Sequence, residues 1–186
     1  MKAHILEAGP IRVEFERLGD RWSHTLSVQN ENDWLLIAAS IEGSEQEPWP
    51  ASPPIQELHF ETHDGKPVAL GVGMSGSSHW SLCVTVDPTT QAIQFEVACR
   101  TKSIPDRLQS AYHSQLPVRT DSPSECILQS AGKSIQQITI RPADAKSRIL
   151  TDLSVPGRTT LTVQFVSPAA TPSPTRRWNY LITPVK

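Results

Sequence analysis

Apolar and polar residues alternate one by one along many short stretches of this chain, and this pattern constrains its fold more than any other feature. Residues 11–16 read Ile-Arg-Val-Glu-Phe-Glu, and residues 22–28 read Trp-Ser-His-Thr-Leu-Ser-Val. Successive side chains of a strand point to opposite faces, so this alternation predicts strands with one apolar and one polar face. Such strands are typical of antiparallel sheets that are packed on one side only.

Turn-forming residues separate these stretches, because 16 prolines and 9 glycines fall largely between them. The resulting prediction is a set of strands at about 3–8, 10–18, 22–29, 34–42, 55–62, 67–72, 79–86, 91–100, 135–141, 147–153, 158–166 and 177–183. We therefore predict an all-β protein, an antiparallel β-sandwich of about 10–12 strands that forms one domain over residues 1–186.

At most one short helix is expected, near residues 105–113. In the stretch 104–116, Ile104, Leu108, Ala111 and Tyr112 recur at helical spacing. Pro105 would then lie in the first turn, where a missing N–H costs little.

One hairpin can be derived in register. The apolar residues of 80–86 and those of 93–99 must share a face, and a four-residue loop, Asp87 to Thr90, achieves this. That loop pairs Val84 with Ile93, Leu82 with Phe95 and Trp80 with Val97. Cys83 and Cys99 then lie on opposite faces, which prevents a disulfide between them.

The net charge of −2, with acidic and basic residues interspersed, provides no electrostatic footprint for nucleic acid or an anionic membrane. No long apolar stretch or secretory signal is visible, so we expect a cytoplasmic protein. Its three cysteines, Cys83, Cys99 and Cys126, match no zinc or redox spacing and are expected to be reduced.

His59, Glu61 and His63 form the first candidate site. Residues two apart on a strand point the same way, so all three would project from the polar face. Imidazole and carboxylate groups are suitable metal ligands, with His79 or His113 as candidates for an additional ligand. The two histidines are too far apart along the strand to share one ion, and a solvated sheet face that ends in a turn is the ordinary interpretation.

His79, Glu96 and Arg100 form the second candidate site, on the polar face of the derived hairpin. A histidine and a carboxylate on an open sheet face could act as an acid and base pair. The alternative is a charge pair across neighbouring strands, which is common on solvated faces. The nearby Gly-rich stretch 71–78 lacks the spacing of a phosphate loop, and we interpret its glycines as allowing a bulge or tight bend.

Trp49 is the third candidate. It lies between Pro48 and Pro50 in a long loop, 43–54, and a second long loop covers 117–134. An exposed tryptophan in such a loop could anchor a sugar ring or a protein partner. Alternatively, Trp49 folds back to cap one open edge of the sandwich.

Three functions remain open, and the sequence indicates no particular cofactor. The first is a non-enzymatic binding module for a carbohydrate or protein partner. The second is a small carbohydrate-active enzyme that uses His and Glu on a concave sheet, by analogy of fold with the mutarotase-like sandwiches. The third is a metal-dependent β-barrel enzyme centred on His59 and Glu61. A homodimer formed through an edge strand is also open.

Overall fold

The protein folds into two antiparallel sheets, which confirms the predicted sandwich. The computed structural model describes residues 4–122, 124–129, 137–155, 158–166 and 175–185. Its strands are β1 (His4–Ala8), β2 (Ile11–Leu18), β3 (Arg21–Asn30), β4 (Asp33–Ser40), β5 (Glu57–His63), β6 (Lys66–Ser75), β7 (Ser78–Asp87), β8 (Ala92–Arg100), β9 (Gln109–Ser114), β10 (Val118–Ser122), β11 (Glu125–Gln129), β12 (Gln137–Pro142), β13 (Ser147–Val155), β14 (Arg158–Phe165) and β15 (Thr175–Pro184).

Sheet A has seven strands in the order β1-β2-β3-β4-β9-β14-β13. Sheet B has eight strands in the order β10-β11-β12-β15-β8-β7-β6-β5. The count exceeds the predicted number of strands partly because the loop expected at 117–134 contains β10 and β11. Residues 123 and 130–134 of that predicted loop lie outside the described part of the chain.

The segment 104–116 contains β9 in place of the expected helix, and the described residues include no helix. The alternating set that faces the core is Leu108, Ser110, Tyr112 and Ser114, all of them buried. Two members of this set are serines, so the period-two pattern is hidden in the sequence. Each serine has a hydrogen-bond partner: the Ser110 hydroxyl accepts a bond from the Trp178 indole, and the Ser114 hydroxyl donates to the Leu116 carbonyl.

The β7–β8 hairpin has the predicted faces but a register shifted by two residues. Val84 lies opposite Phe95, Leu82 opposite Val97 and Trp80 opposite Cys99. In the observed register Asp87 lies opposite Ala92 at the end of β7, and residues 88–91 form the loop. The Asp87 carboxylate accepts bonds from the Thr89 N–H and the Thr90 hydroxyl, at 3.0 and 2.8 Å. Cys83 and Cys99 are free thiols, as predicted.

A chain of buried polar groups crosses the space between the sheets. The Tyr112 hydroxyl lies 2.9 Å from His24 Nε2 and 2.6 Å from the Tyr180 hydroxyl. Burial lowers the pKa of His24 to about 3 and raises the pKa of both tyrosines. These groups are therefore neutral, and they link sheet A to sheet B by hydrogen bonds in the core.

The loop 41–56 closes one end of the sandwich. Its last residues, from Ser52 to Ile55, are buried. The Ser52 hydroxyl donates to the Ala111 carbonyl, and the Ile55 carbonyl accepts the Trp22 N–H at 2.7 Å. Residue 56 then continues along β6, since the Gln56 N–H bonds to the Val72 carbonyl. This loop is thus a packed bridge between the two sheets.

Among the described residues, none forms a helix that could cross a membrane. A cytoplasmic location stays a prediction.

Candidate functional site

The outer face of sheet B carries a groove of about 530 Å³ over β6, β7, β8 and β15. Pairing along the strands sets its floor in two rows. One row runs Met74, His79, Arg100, Thr175, and the next runs Glu57, Val72, Ser81, Ala98, Arg177. The groove therefore joins apolar side chains from β6 to basic side chains from β7, β8 and β15, and Glu57 of β5 lines its far side.

The apolar part of the groove comes from β6, whose large side chains point outward and whose small ones point to the core. On β6 the residues that face the core are small, namely Ala69, Gly71, Gly73 and Ser75, while Leu70, Val72 and Met74 are exposed on the outer face. Val68 alternates with the outer set but is buried. Val72 and Met74 are 50% and 47% exposed. The small residues are required because the chain near Pro54 crosses that inner face: a Cβ on Gly73 would lie 1.8 Å from the Pro54 carbonyl oxygen. The large apolar side chains are left on the outer face.

The basic part consists of His79, Arg100 and Arg177, which are all exposed. His79 lies directly opposite Arg100, and Arg177 lies one row away, opposite Ala98. Within the described part of the chain, neither arginine has a carboxylate or hydrogen-bond partner. A second hollow of about 640 Å³ adjoins them, and Lys102 lines it together with His79 and Arg100.

The predicted acid and base pair is only partly assembled. His79 and Arg100 are neighbours, as expected, but Glu96 lies opposite Cys83. Four residues along the strand separate the two rows, a distance of about 13 Å. The two-residue shift of the hairpin register is the cause. His79 and Glu96 cannot act on one reacting atom in this arrangement.

His59, Glu61 and His63 do lie on the exposed face of β5, as predicted. His63 Nε2 lies 3.5 Å from the Asp64 carboxylate. Among the described residues, however, no three His, Cys, Asp or Glu side chains are grouped closely enough to hold a metal ion. Neither His79, on β7, nor His113, on β9 of the other sheet, joins them.

Trp49 folds back onto the protein. It is half-buried and packs against the core, and its carbonyl accepts a bond from Arg107 Nε at 2.9 Å. Trp49 is therefore not the exposed tryptophan that a sugar-binding loop would need. Trp34, on the outer face of sheet A, is half-buried as well, with the Arg12 guanidinium 4.0 Å from its ring centre.

Cys83 and Cys99 lack the electrostatic surroundings of a nucleophile. Burial, then the charges of Glu96 and Glu61, raise the pKa of Cys83. Burial raises the pKa of Cys99 to about 11. A thiolate is disfavoured at both positions near neutral pH.

Sequence reasoning found His79 and Arg100 but missed Val72, Met74 and Arg177. The outward apolar set of β6 is visible in the sequence, as Val-Ala-Leu-Gly-Val-Gly-Met from residue 68. In this stretch large apolar residues alternate with Ala and Gly, and neither set is polar. Alternation alone therefore does not say which of the two sets faces the core. Comparison of the sequence with protein-family models and with curated proteins finds no match.

Proposed function

We propose that this protein is a non-enzymatic binding module, and that the groove on the outer face of sheet B takes an extended acidic segment of a protein partner. The observation that carries this proposal is the pair of exposed guanidinium groups, Arg100 and Arg177, without partners among the described residues and beside the exposed side chains of Val72 and Met74. Arginine forks favour carboxylates, and aliphatic side chains favour apolar ones.

A protein partner suits this groove better than a carbohydrate. Sugar rings are commonly bound against exposed aromatic faces, and the groove's exposed apolar side chains are aliphatic. Trp80 is the aromatic residue beside the groove, and it is 2% exposed. An extended peptide with alternating acidic and apolar residues would place its carboxylates over β8 and β15 and its apolar side chains over β6.

The enzymatic alternatives have less support. The mutarotase-like hypothesis needs His79 and Glu96 to act together, and they lie in rows about 13 Å apart. The metal-dependent hypothesis needs ligands that converge on His59 and Glu61, and the described residues supply no such group. Neither hypothesis gains an observation in its favour.

The binding experiment uses a fluorescent twelve-residue peptide of alternating glutamate and valine, with a lysine and valine peptide as the reverse-charge control. The glutamate peptide is expected to bind, with an affinity that falls as salt rises, because the contacts are exposed and electrostatic. An Arg100→Glu, Arg177→Glu protein is expected to bind at least about tenfold more weakly, since two attractive contacts become repulsive. Fluorescence anisotropy measures both effects.

The matched control is Lys146→Glu with Arg148→Glu, which reverses two exposed charges on and beside β13 of the other sheet. This control should bind the glutamate peptide as the unmodified protein does. Equal weakening in both double variants would mean that net charge, and not the groove, attracts the peptide. If neither peptide binds and an oligosaccharide raises the melting temperature, the partner is a carbohydrate and the proposal is wrong.

A further inference from the structure

The free edge of β5 has a backbone arrangement that can be worked out from its turn. β5 is the last strand of sheet B, and on its other side it pairs with β6 in unbroken register. The two strands are joined by Asp64 and Gly65, whose φ values are +49° and +76°. A turn of this kind closes on a hydrogen-bonded pair, here His63 and Lys66. Since these pairs alternate, the N–H and C=O groups of Leu58, Phe60 and Thr62 point away from β6.

β5 lacks the strongest features that keep another strand from joining an edge by backbone pairing. Exposed edges are usually protected by proline, by charged side chains, lysine above all, or by a bulge. Glu-Leu-His-Phe-Glu-Thr-His has no proline, lysine or bulge, and the charge that it carries comes from glutamate and histidine. No strand or backbone hydrogen bond covers this edge in the part of the chain that the structure describes. Leu58 and Phe60 are half-buried on the inner side, so an added strand would also cover apolar surface.

The charged side chains of β5 select one particular partner strand. Glu57, His59, Glu61 and His63 alternate acid and base along the exposed face. In an antiparallel pair of two β5 strands centred on Phe60, His59 faces Glu61 of the second copy, and Glu57 faces its His63. A pair centred on His59 or on Glu61 instead places histidine against histidine and glutamate against glutamate. A shift by one residue turns the charged face inward.

We propose that two copies of this chain associate through β5 in the antiparallel register centred on Phe60. Because the dimer is symmetric, each His–Glu pair occurs twice. These pairs lie at the positions without backbone hydrogen bonds, where the Cα atoms of the two strands are only about 4.5 Å apart. Phe60 meets Phe60 of the second copy on the inner side. The two eight-stranded sheets then continue into each other, and the alternation at 59, 61 and 63 becomes a recognition pattern instead of a metal site.

The test is a charge exchange measured by sedimentation equilibrium of the full chain at micromolar concentrations. His59→Glu places glutamate opposite Glu61 of the second copy and is expected to weaken dimerisation at least about tenfold. Adding Glu61→Lys restores an opposite-charge pair and is expected to recover most of the lost affinity. A monomer at every concentration, or a dimer that His59→Glu leaves intact, would overturn the proposal.

A second variant tests the contact at the free edge of β5 without changing the fold of the monomer. Thr62→Pro removes an N–H that points to the free edge, and proline is tolerated at such a position because no bond to β6 is lost. This variant is expected to dimerise at least about tenfold more weakly, with an unchanged melting temperature for the dilute monomer. Dimerisation equal to that of the unmodified protein would show that the contact lies elsewhere.

Discussion

Gly73→Ala is expected to destabilise the protein by more than about 4 kcal/mol, a large fraction of the total free energy of unfolding of a typical domain. Gly73 lies on the inner face of β6, where the segment before β5 crosses it. A Cβ there would lie 1.8 Å from the Pro54 carbonyl oxygen and 2.8 Å from the carbonyl carbon. Both atoms are backbone, so no rotamer change can make room.

The crossing segment cannot move away cheaply, because hydrogen bonds hold it on both sides. Its Ile55 carbonyl accepts the Trp22 N–H, and the Gln56 side-chain amide bonds to both backbone groups of Met74. Displacing this segment would break these hydrogen bonds and the bridge that they form between the sheets.

Gly71→Ala is the matched control for this prediction. Its added Cβ would meet Ile55 Cγ2 at 2.6 Å and Leu58 Cδ1 at 3.3 Å. Both are side-chain methyl groups and not backbone atoms, so small shifts in packing can accommodate the Cβ, and the cost should be about 1–3 kcal/mol, as for ordinary overpacking. Urea unfolding of the two variants and the unmodified protein measures the order. Equal losses at the two glycines would show that the Pro54 backbone does not restrict Gly73.

The sandwich could be predicted because most of its strands carry the pattern of a half-buried sheet. Strand β2 alternates buried Ile11, Val13 and Phe15 with less buried charged residues, and this pattern needs no knowledge of its neighbours. β9 could not be predicted in the same way, because Ser110 and Ser114 face the core and are satisfied only by groups distant in sequence or in the following turn.

The candidate site was only half predictable for a related reason. His79 and Arg100 lie on one hairpin, so local alternation places them on one face even when the register is wrong by two residues. Arg177 joins them only because β15 pairs with β8, a contact between distant parts of the chain. The outward direction of Val72 and Met74 depends on Pro54 crossing behind them. Sequence periodicity carries no information on either arrangement.

The second large effect concerns pH, and it comes from Glu42 at the start of the bridging loop. Burial raises the pKa of this carboxyl to about 7, against smaller lowering effects of the Ser40 hydrogen bond and the charge of Arg21. Ser40 donates to Glu42 Oε1 at 2.7 Å, while Oε2 is buried without a hydrogen-bond partner among the described residues. The folded protein therefore holds a proton on Glu42 that the unfolded chain releases near pH 4.5.

The direction of the effect follows from proton linkage. Between about pH 4.5 and 7 the folded state binds more protons at Glu42 than the unfolded state does, so stability falls as pH rises through this window. The full loss is on the order of 3 kcal/mol. His24 acts oppositely: burial lowers its pKa to about 3, so it reduces stability as pH falls below 6.5.

Glu42→Gln is expected to remove the loss on the neutral side and leave the acid side unchanged. Glutamine keeps an oxygen for the Ser40 hydroxyl but cannot become charged. Subtracting the unfolding free energy of the unmodified protein from that of the variant removes the contribution of His24, which both proteins share. This difference should rise by about 3 kcal/mol between pH 4 and pH 8, because only the unmodified protein loses stability over that range. Urea unfolding at a series of pH values measures this difference.

Glu96→Gln, on the exposed face of sheet B, is the control. Parallel curves for Glu42→Gln and the unmodified protein would mean that water reaches the Glu42 carboxylate and that it is charged in the folded state.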